Sequence, residues 1–431
     1  MSVPIPFGIA VTPFPKRAPD QEVAQNVDAV LAAEPQGWRA SQQRYLMPNY
    51  QRHPQAFVRG EGPFLFDTAG RRYLDFTSGI GVTALGHAHP AVTAAIAAQA
   101  QRVLHTSNHY EIPLQAEAAR LLSTTATGGQ VLFVNSGTEA NEAAIKLARR
   151  YHYTQGYPQR TEILSFYNGF HGRTLGSLAA TAQPKLQEGF GPMPADFRYA
   201  DYNDTTSFDQ ACSARTAAVL IELIQGEGGV VVAQREFVQH VAQRCRQNGW
   251  LLIVDEVQTG VGRTGSWWAY QQYGIEPDVI TCAKAMGNGV PVGAVIARPE
   301  VAAAFVPGTH GSTFGGNPLA MAAVIATLQT IQRENLVAHV LQAGEQLGSA
   351  LQRIAQAHST VTEVRGRGLM WGMAFQRPVA SLIEALAQQG LLALAAGQGD
   401  VLRFLPPLII DEEAITAATK ALDAALTALQ W

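Results

Sequence analysis

Lysine is scarce in this chain: five residues, at positions 16, 146, 185, 284 and 420, stand against 26 arginines. Nowhere does a lysine follow a glycine, so the phosphate loop of nucleotide hydrolases, GxxxxGK followed by Ser or Thr, is absent. Cysteine is rarer still. Cys212, Cys245 and Cys282 lie far apart with no CxxC pair, which excludes a disulfide framework and reads as the reduced thiols of a cytoplasmic protein. No uninterrupted apolar run approaches the roughly 20 residues of a membrane span. Charged residues make up 15% and the net charge is −3, which leaves no basic footprint for nucleic acid and no polybasic membrane patch. A small-molecule partner is what remains. The 431 residues allow a substantial core, and about two or three domains.

One stretch organises the rest. Residues 249–289 read GWLLIVDEVQTGVGRTGSWWAYQQYGIEPDVITCAKAMGNG, two short apolar runs that each deliver one ionisable residue. Such bounded, β-branched runs are expected of strands buried on both faces of a parallel sheet, and ligand chemistry in open α/β sheets gathers at their C-terminal ends. Asp255 follows the first run and Lys284 closes the second after one alanine. Alone, LLIVDE also fits the magnesium-binding strand of a nucleotide hydrolase, but the phosphate loop that protein needs is missing. An acid and a lysine at neighbouring strand ends suit pyridoxal phosphate. That cofactor needs a lysine amine to join its aldehyde and a carboxylate to keep its pyridine nitrogen protonated. Lys284 is the only lysine that ends an apolar strand.

In chain order, residues 1–44 read as an extension. MSVPIPFGIAVTPFPKRAP is broken by five prolines and lacks a basic start, so it does not fit a signal peptide, although an organelle-transit role stays open. A short helix is expected over 21–33, with the remainder loosely held. FVRGEGPFLFDTAGRRYLDF predicts strands joined by a turn at 67–70. GHAHPAVTAAIAAQAQRVL turns helical at Pro90, and His87 and His89 beside it read as structural, since a metal would need further ligands. QVLFVN predicts a strand running into a helix at SGTEANEAAIKLARR, where first-turn N–H groups at Gly137 and Thr138 favour an anion. EILSFY leads to Phe170 and Arg173, and TAAVLIE leads to Glu222 and Glu227. Five strand ends therefore converge on one rim. Towards the C-terminus, helices are expected over 317–333, 340–357 and 412–429, with a glycine-broken strand at VTEVRGRGLMWGMAF.

The segments NSGTEANEAAIKLAR, FHGRTLGSLAAT, IQGEGGV, DEVQTGVGRTG, the Lys284 segment and THGSTFGGNPLA, in this order, resemble the signatures of class III pyridoxal-phosphate aminotransferases. With LGHAHPAV before and VLRFLPPLII after, the resemblance covers residues 45–431. It implies an α/β fold: a large domain with a mostly parallel seven-stranded sheet (fold type I), over 101–315, and a smaller α+β domain from both chain ends, 45–100 and 316–431. It implies that Lys284 joins the cofactor and then moves the proton, that Asp255 holds the pyridinium, and that Phe170 and Val257 pack on the two ring faces. Gln258 would address the ring hydroxyl, and Gly137, Thr138 and Thr313 the phosphate. Thr313 would reach the neighbouring subunit's cofactor, which implies a homodimer with shared sites. No metal is implied.

Within the family, GVGRTG and THGSTFGGNP are most similar to the members acting on acetylornithine. That implies transfer of the terminal amino group of an acylated diamino acid to 2-oxoglutarate, as in arginine biosynthesis. Arg173 would grip the distant carboxylate of the donor, with Ser312 nearby, and the side-chain carboxylate of glutamate. Arg403 would take the α-carboxylate of glutamate, with Glu227 covering it otherwise; arginine suits both tasks because its planar fork binds carboxylates bidentately. Ornithine, succinylornithine, 4-aminobutyrate and acyl-lysine remain alternative donors. An aminomutase of the same fold would have no use for the Glu227–Arg403 pair, and a catalytically dead relative no use for Lys284, Asp255 and Gln258. The pattern departs from the family at Leu223 after Glu222, at Ala285 and Asn288 where glycines are usual, and at Glu111 after Tyr110.

Overall fold

The computed structural model describes residues 29–30, 35–126 and 128–431. Two units divide the chain: Met1–Arg59 with Phe66–Arg71, and Gly60–Leu65 with Arg72–Trp431. The first contains a helix not anticipated from the sequence, Pro35–Tyr45, and the expected turn, where Gly70 N–H donates to Asp67 O at 2.9 Å. The helix expected over 21–33 lies almost wholly outside the described residues.

The second unit is built around seven strands: β1 Gln130–Val134, β2 Glu162–Phe166, β3 Phe197–Ala200, β4 Thr216–Glu222, β5 Leu251–Asp255, β6 Val279–Cys282 and β7 Gly293–Ala297. Their order in the sheet is β1-β7-β6-β5-β4-β2-β3. Only β7 runs antiparallel to its neighbours. β2, β4, β5, β6 and β7 are buried throughout, which is why they read as mostly apolar runs rather than alternating ones. Registers Asp255↔Glu222 and Asp255↔Thr281 bring the C-terminal ends of three strands level. Helix α1, Gly137–Thr154, starts two residues after β1, with Ser136 capping it through Glu139 N–H.

A second, antiparallel sheet comes from the C-terminal part: β8 Val361–Arg367, β9 Met370–Phe375, β10 Leu394–Ala396 and β11 Val401–Phe404, in the order β8-β9-β11-β10. The predicted glycine break is the tight connection between β8 and β9. Helices Pro318–Arg333, Leu336–Ala357 and Glu412–Ala428 accompany this part, the second starting a turn earlier than its periodicity predicts. Among the described residues no helix is long and apolar enough to cross a membrane.

Candidate active site

A cavity of about 440 Å³ opens where β4, β5 and β6 end, lined among others by Gly137, Thr138, Phe170, Arg173, Glu227, Asp255, Val257, Gln258 and Lys284. Lys284 begins a short 3-10 turn, Lys284–Gly287, with a left-handed φ of 46°. A non-glycine residue rarely accepts that conformation, and here it turns the chain sharply out of β6. The Lys284 amine has no hydrogen-bonding or ion-pairing partner among the described residues. Burial pulls its pKa below the ordinary lysine value, with Glu227 acting in the opposite sense; an amine so lowered is more readily available as a nucleophile.

Asp255 sits at the end of β5, 4% exposed and held at both oxygens. Asn141 Nδ2 donates to Oδ2 at 2.8 Å, His171 Nδ1 lies 2.8 Å from the same oxygen, and Val257 N–H donates to Oδ1 at 3.0 Å. Asn141 is in turn oriented by Thr281 Oγ1, which donates to its Oδ1 at 2.8 Å. Burial opposes a charge on His171, but the hydrogen bond and charge of Asp255 outweigh it and raise its pKa. Asn141 and His171 carried no assigned role in the sequence. Asn141 lies one helical turn after Gly137, on the same face of α1, which is the signal that could have found it.

The rest of the rim depends on close approach. A Cβ at Gly137 would lie 2.7 Å from Val257 Cγ1, and one at Gly226 would lie 2.0 Å from Gln258 Oε1. The Thr138 hydroxyl accepts from Arg173 N–H at 3.2 Å and lies 3.0 Å from Thr174 Oγ1. Phe170 N–H donates to Glu222 Oε2 at 2.8 Å, and the Arg173 guanidinium stands 5.6 Å from the Phe170 ring centre. Burial pushes the Glu222 carboxyl up. Leu223, in place of the usual proline, is buried in the core. Asn288, in place of a glycine, adopts φ 43°, a region asparagine tolerates, and accepts from Leu85 N–H at 2.8 Å.

Arg403 on β11 is 2% exposed, and its Nη1 donates to Glu227 Oε1 at 2.6 Å and to Gln258 Oε1 at 3.5 Å. Its Nε is buried without a partner. Burial works against the Glu227 carboxylate, but the Arg403 charge holds its pKa below the ordinary value. Ser312 and Thr313 are not brought to this cavity within one chain. They line another, of about 710 Å³, with Asn108, Gln115 and His310; Ser312 Oγ accepts from Asn135 Nδ2 at 3.2 Å.

These residues fit pyridoxal phosphate. An unpartnered amine, a carboxylate braced at both oxygens and a helix N-terminus that lines the same cavity are what the group's aldehyde, ring nitrogen and phosphate require.

Directly after Asp255, Glu256 is buried, and burial pushes its pKa up to about 7 against hydrogen bonds from Thr259 Oγ1 and Tyr270 N–H. The folded protein therefore binds this proton more tightly than the unfolded chain. The stability it contributes is complete below about pH 4.5, the ordinary carboxyl value, and is lost as pH rises through about 7. Glu256→Gln should raise resistance to urea at pH 8 by roughly 1–3 kcal/mol relative to the parent and bring no gain at about pH 3.5. Parallel stability curves at the two pH values would contradict the assignment.

Residues 45–426 match the family Aminotransferase class-III. The chain is 48% identical over 379 residues to the acetylornithine aminotransferase of Aquifex aeolicus, covering 88% of this chain and 98% of that one. It is 47% identical over 383 residues to that of Gloeobacter violaceus, covering 88% and 95%. Among solved structures, the ornithine aminotransferase of Toxoplasma gondii, which holds PLP at partial occupancy in its active site, superposes with a TM-score of 0.91 at 31% identity, covering 96% of this chain and 99% of that one. The acetylornithine aminotransferase of Elizabethkingia anophelis follows the same fold, with a TM-score of 0.82 at 31% identity over 92% and 99% of the two chains. This chain belongs to the class-III aminotransferases. It is an enzyme of the pyridoxal-phosphate-dependent kind.

Proposed function

We propose that this enzyme transfers the terminal amino group of N2-acetylornithine to 2-oxoglutarate, giving N-acetylglutamate 5-semialdehyde and glutamate. The observation that carries the reading is the buried Arg403 paired with Glu227 at the edge of the cavity that holds Lys284 and Asp255. A site with that pair can present a cation to one substrate and a neutralised surface to the other. The similarity to acetylornithine enzymes supports the particular donor.

When bound, the cofactor supplies an electron sink for the substrate carbon that loses its proton. The chain's residues do the rest. Lys284 would be the anchoring amine and would move the proton, while Asp255, steadied by Asn141 and His171, would hold the ring nitrogen protonated. Phe170 and Val257 would pack on the two ring faces, Gln258 would address its hydroxyl, and Gly137 and Thr138 would offer first-turn N–H groups to the phosphate. Arg173, exposed at the mouth, takes the carboxylate that both substrates carry at the far end.

Ser312 and Thr313 find their task in a homodimer, completing the partner subunit's site, which agrees with their absence from this chain's own cavity. Thr313→Ala should then lower cofactor retention during dialysis while leaving the dimer intact in sedimentation. Fully active monomers at assay concentration would contradict shared sites. Three free thiols support a cytoplasmic setting.

Half-reaction spectroscopy of the purified holoenzyme tests the donor. Acetylornithine is expected to give the highest single-turnover k/K among acetylornithine, ornithine, 4-aminobutyrate and acetyl-lysine, and a clear preference for another of the four would replace it.

A further inference from the structure

We propose that Arg365 is a positioning residue of the substrate switch, pinning the backbone of the loop that carries Glu227 so that only the Glu227 side chain moves on and off Arg403. The inference rests on the gate described above. Registers Arg365↔Gly372 and Gly372↔Arg403 place these residues side by side across β8, β9 and β11. Directly paired residues share a face, so the two arginines project from the same side of the sheet, two strand spacings or about 10 Å apart.

The loop 226–230 lies over that face. A Cβ at Gly372 would meet Val230 Cβ at 2.9 Å, so the glycine between the two arginines is the floor on which Val230 rests. Arg403 holds one end of the loop through the Glu227 side chain. Arg365 holds the other through its backbone: Nε and Nη2 both donate to Gly229 O, at 2.9 and 2.8 Å. Its third nitrogen, Nη1, is engaged by Glu363. Gly397 N–H adds a bond to Glu227 O at 3.0 Å.

The loop needs such a hold. Val230 has φ 58°, a left-handed conformation that a β-branched side chain strongly resists, and Gly229 has φ 107°. Strain of this kind persists only where surrounding contacts enforce it. Without the fork on Gly229, the loop would relax and Glu227 would lose its stance over Arg403.

The test measures binding of glutarate, a dicarboxylate with no amine, to the holoenzyme, with valerate as a single-carboxylate control. Half-reaction rates are followed alongside. Arg365→Met should bind glutarate about fivefold tighter, as expected when the closed gate loses one net hydrogen bond, with valerate unchanged. The glutamate half-reaction should gain on the acetylornithine half by a similar factor. Arg365→Lys, which keeps the charge beside Glu363 but not the fork, should fall between. Glu227→Ala should shift glutarate binding at least as far, and adding Arg365→Met to it should change nothing more. If Glu227→Ala tightens glutarate and Arg365→Met instead slows both halves equally, the gate stands and Arg365 is only structural. If Glu227→Ala leaves glutarate unchanged, the gate and its pin fail together.

Discussion

Lys284→Ala is expected to bind the cofactor yet lose turnover by about 10⁴-fold or more, the upper range for a group that moves a proton in the transition state. Position sets this lysine apart. Lys146 is occupied by His310 Nδ1 at 2.8 Å, whereas Lys284 stands unpartnered in the cavity beside Asp255. Its pKa is already lowered by burial. Replacement by alanine removes both the anchoring amine and the proton carrier, while the first-turn N–H groups of α1 and the Asp255 carboxylate remain to hold the cofactor. Borohydride reduction of the parent holoenzyme and peptide mapping should place the label on the peptide containing Lys284. Label on any other lysine would overturn the assignment.

The two arginines should separate the two halves of the reaction. Arg403→Leu is expected to slow the glutamate half by about 10²-fold or more, in keeping with roughly 3 kcal/mol for a lost buried charge partner, and to leave the acetylornithine half nearly unchanged. Glu227 can bear the loss because its side chain is 32% exposed and can turn to water. Arg173→Leu should slow both halves, since both substrates bring a carboxylate to the mouth of the cavity. Equal losses in the two halves for Arg403→Leu would mean that the residue supports the sheet rather than a substrate.

Much of this site was legible in the chain because its chemistry sits directly after bounded apolar runs. Asp255 ends β5 and Lys284 follows β6 after one alanine, and the short-range rule that a buried strand is punctuated by its first charged residue finds them. Gly137 and Thr138 follow β1 by the same logic. The antiparallel β7 was not anticipated, since GAVIA is too short a run to reveal its direction. The supports escaped for a different reason: His171 meets Asp255 from 84 positions away, and nothing local in FHGRT says so. Arg263 is the clearest case. No role was assigned to the arginine of GVGRTG, yet it is fully buried, donates to the carbonyls of Leu369 and Pro406, and has its pKa pulled by burial to about 9. Partnering by backbone carbonyls, unlike partnering by side chains, leaves no trace in residue types.

One cavity serves two substrates if Glu227 covers and uncovers Arg403, and Glu227→Ala removes the cover. Single-turnover k/K should be measured for acetylornithine with the cofactor in its aldehyde form, and for glutamate with the same form. Freed of its partner, Arg403 should favour the glutamate half over the acetylornithine half by roughly tenfold relative to the parent, since about 1.4 kcal/mol corresponds to a decade. Equal slowing of both halves would make Glu227 a structural acid and contradict the switch.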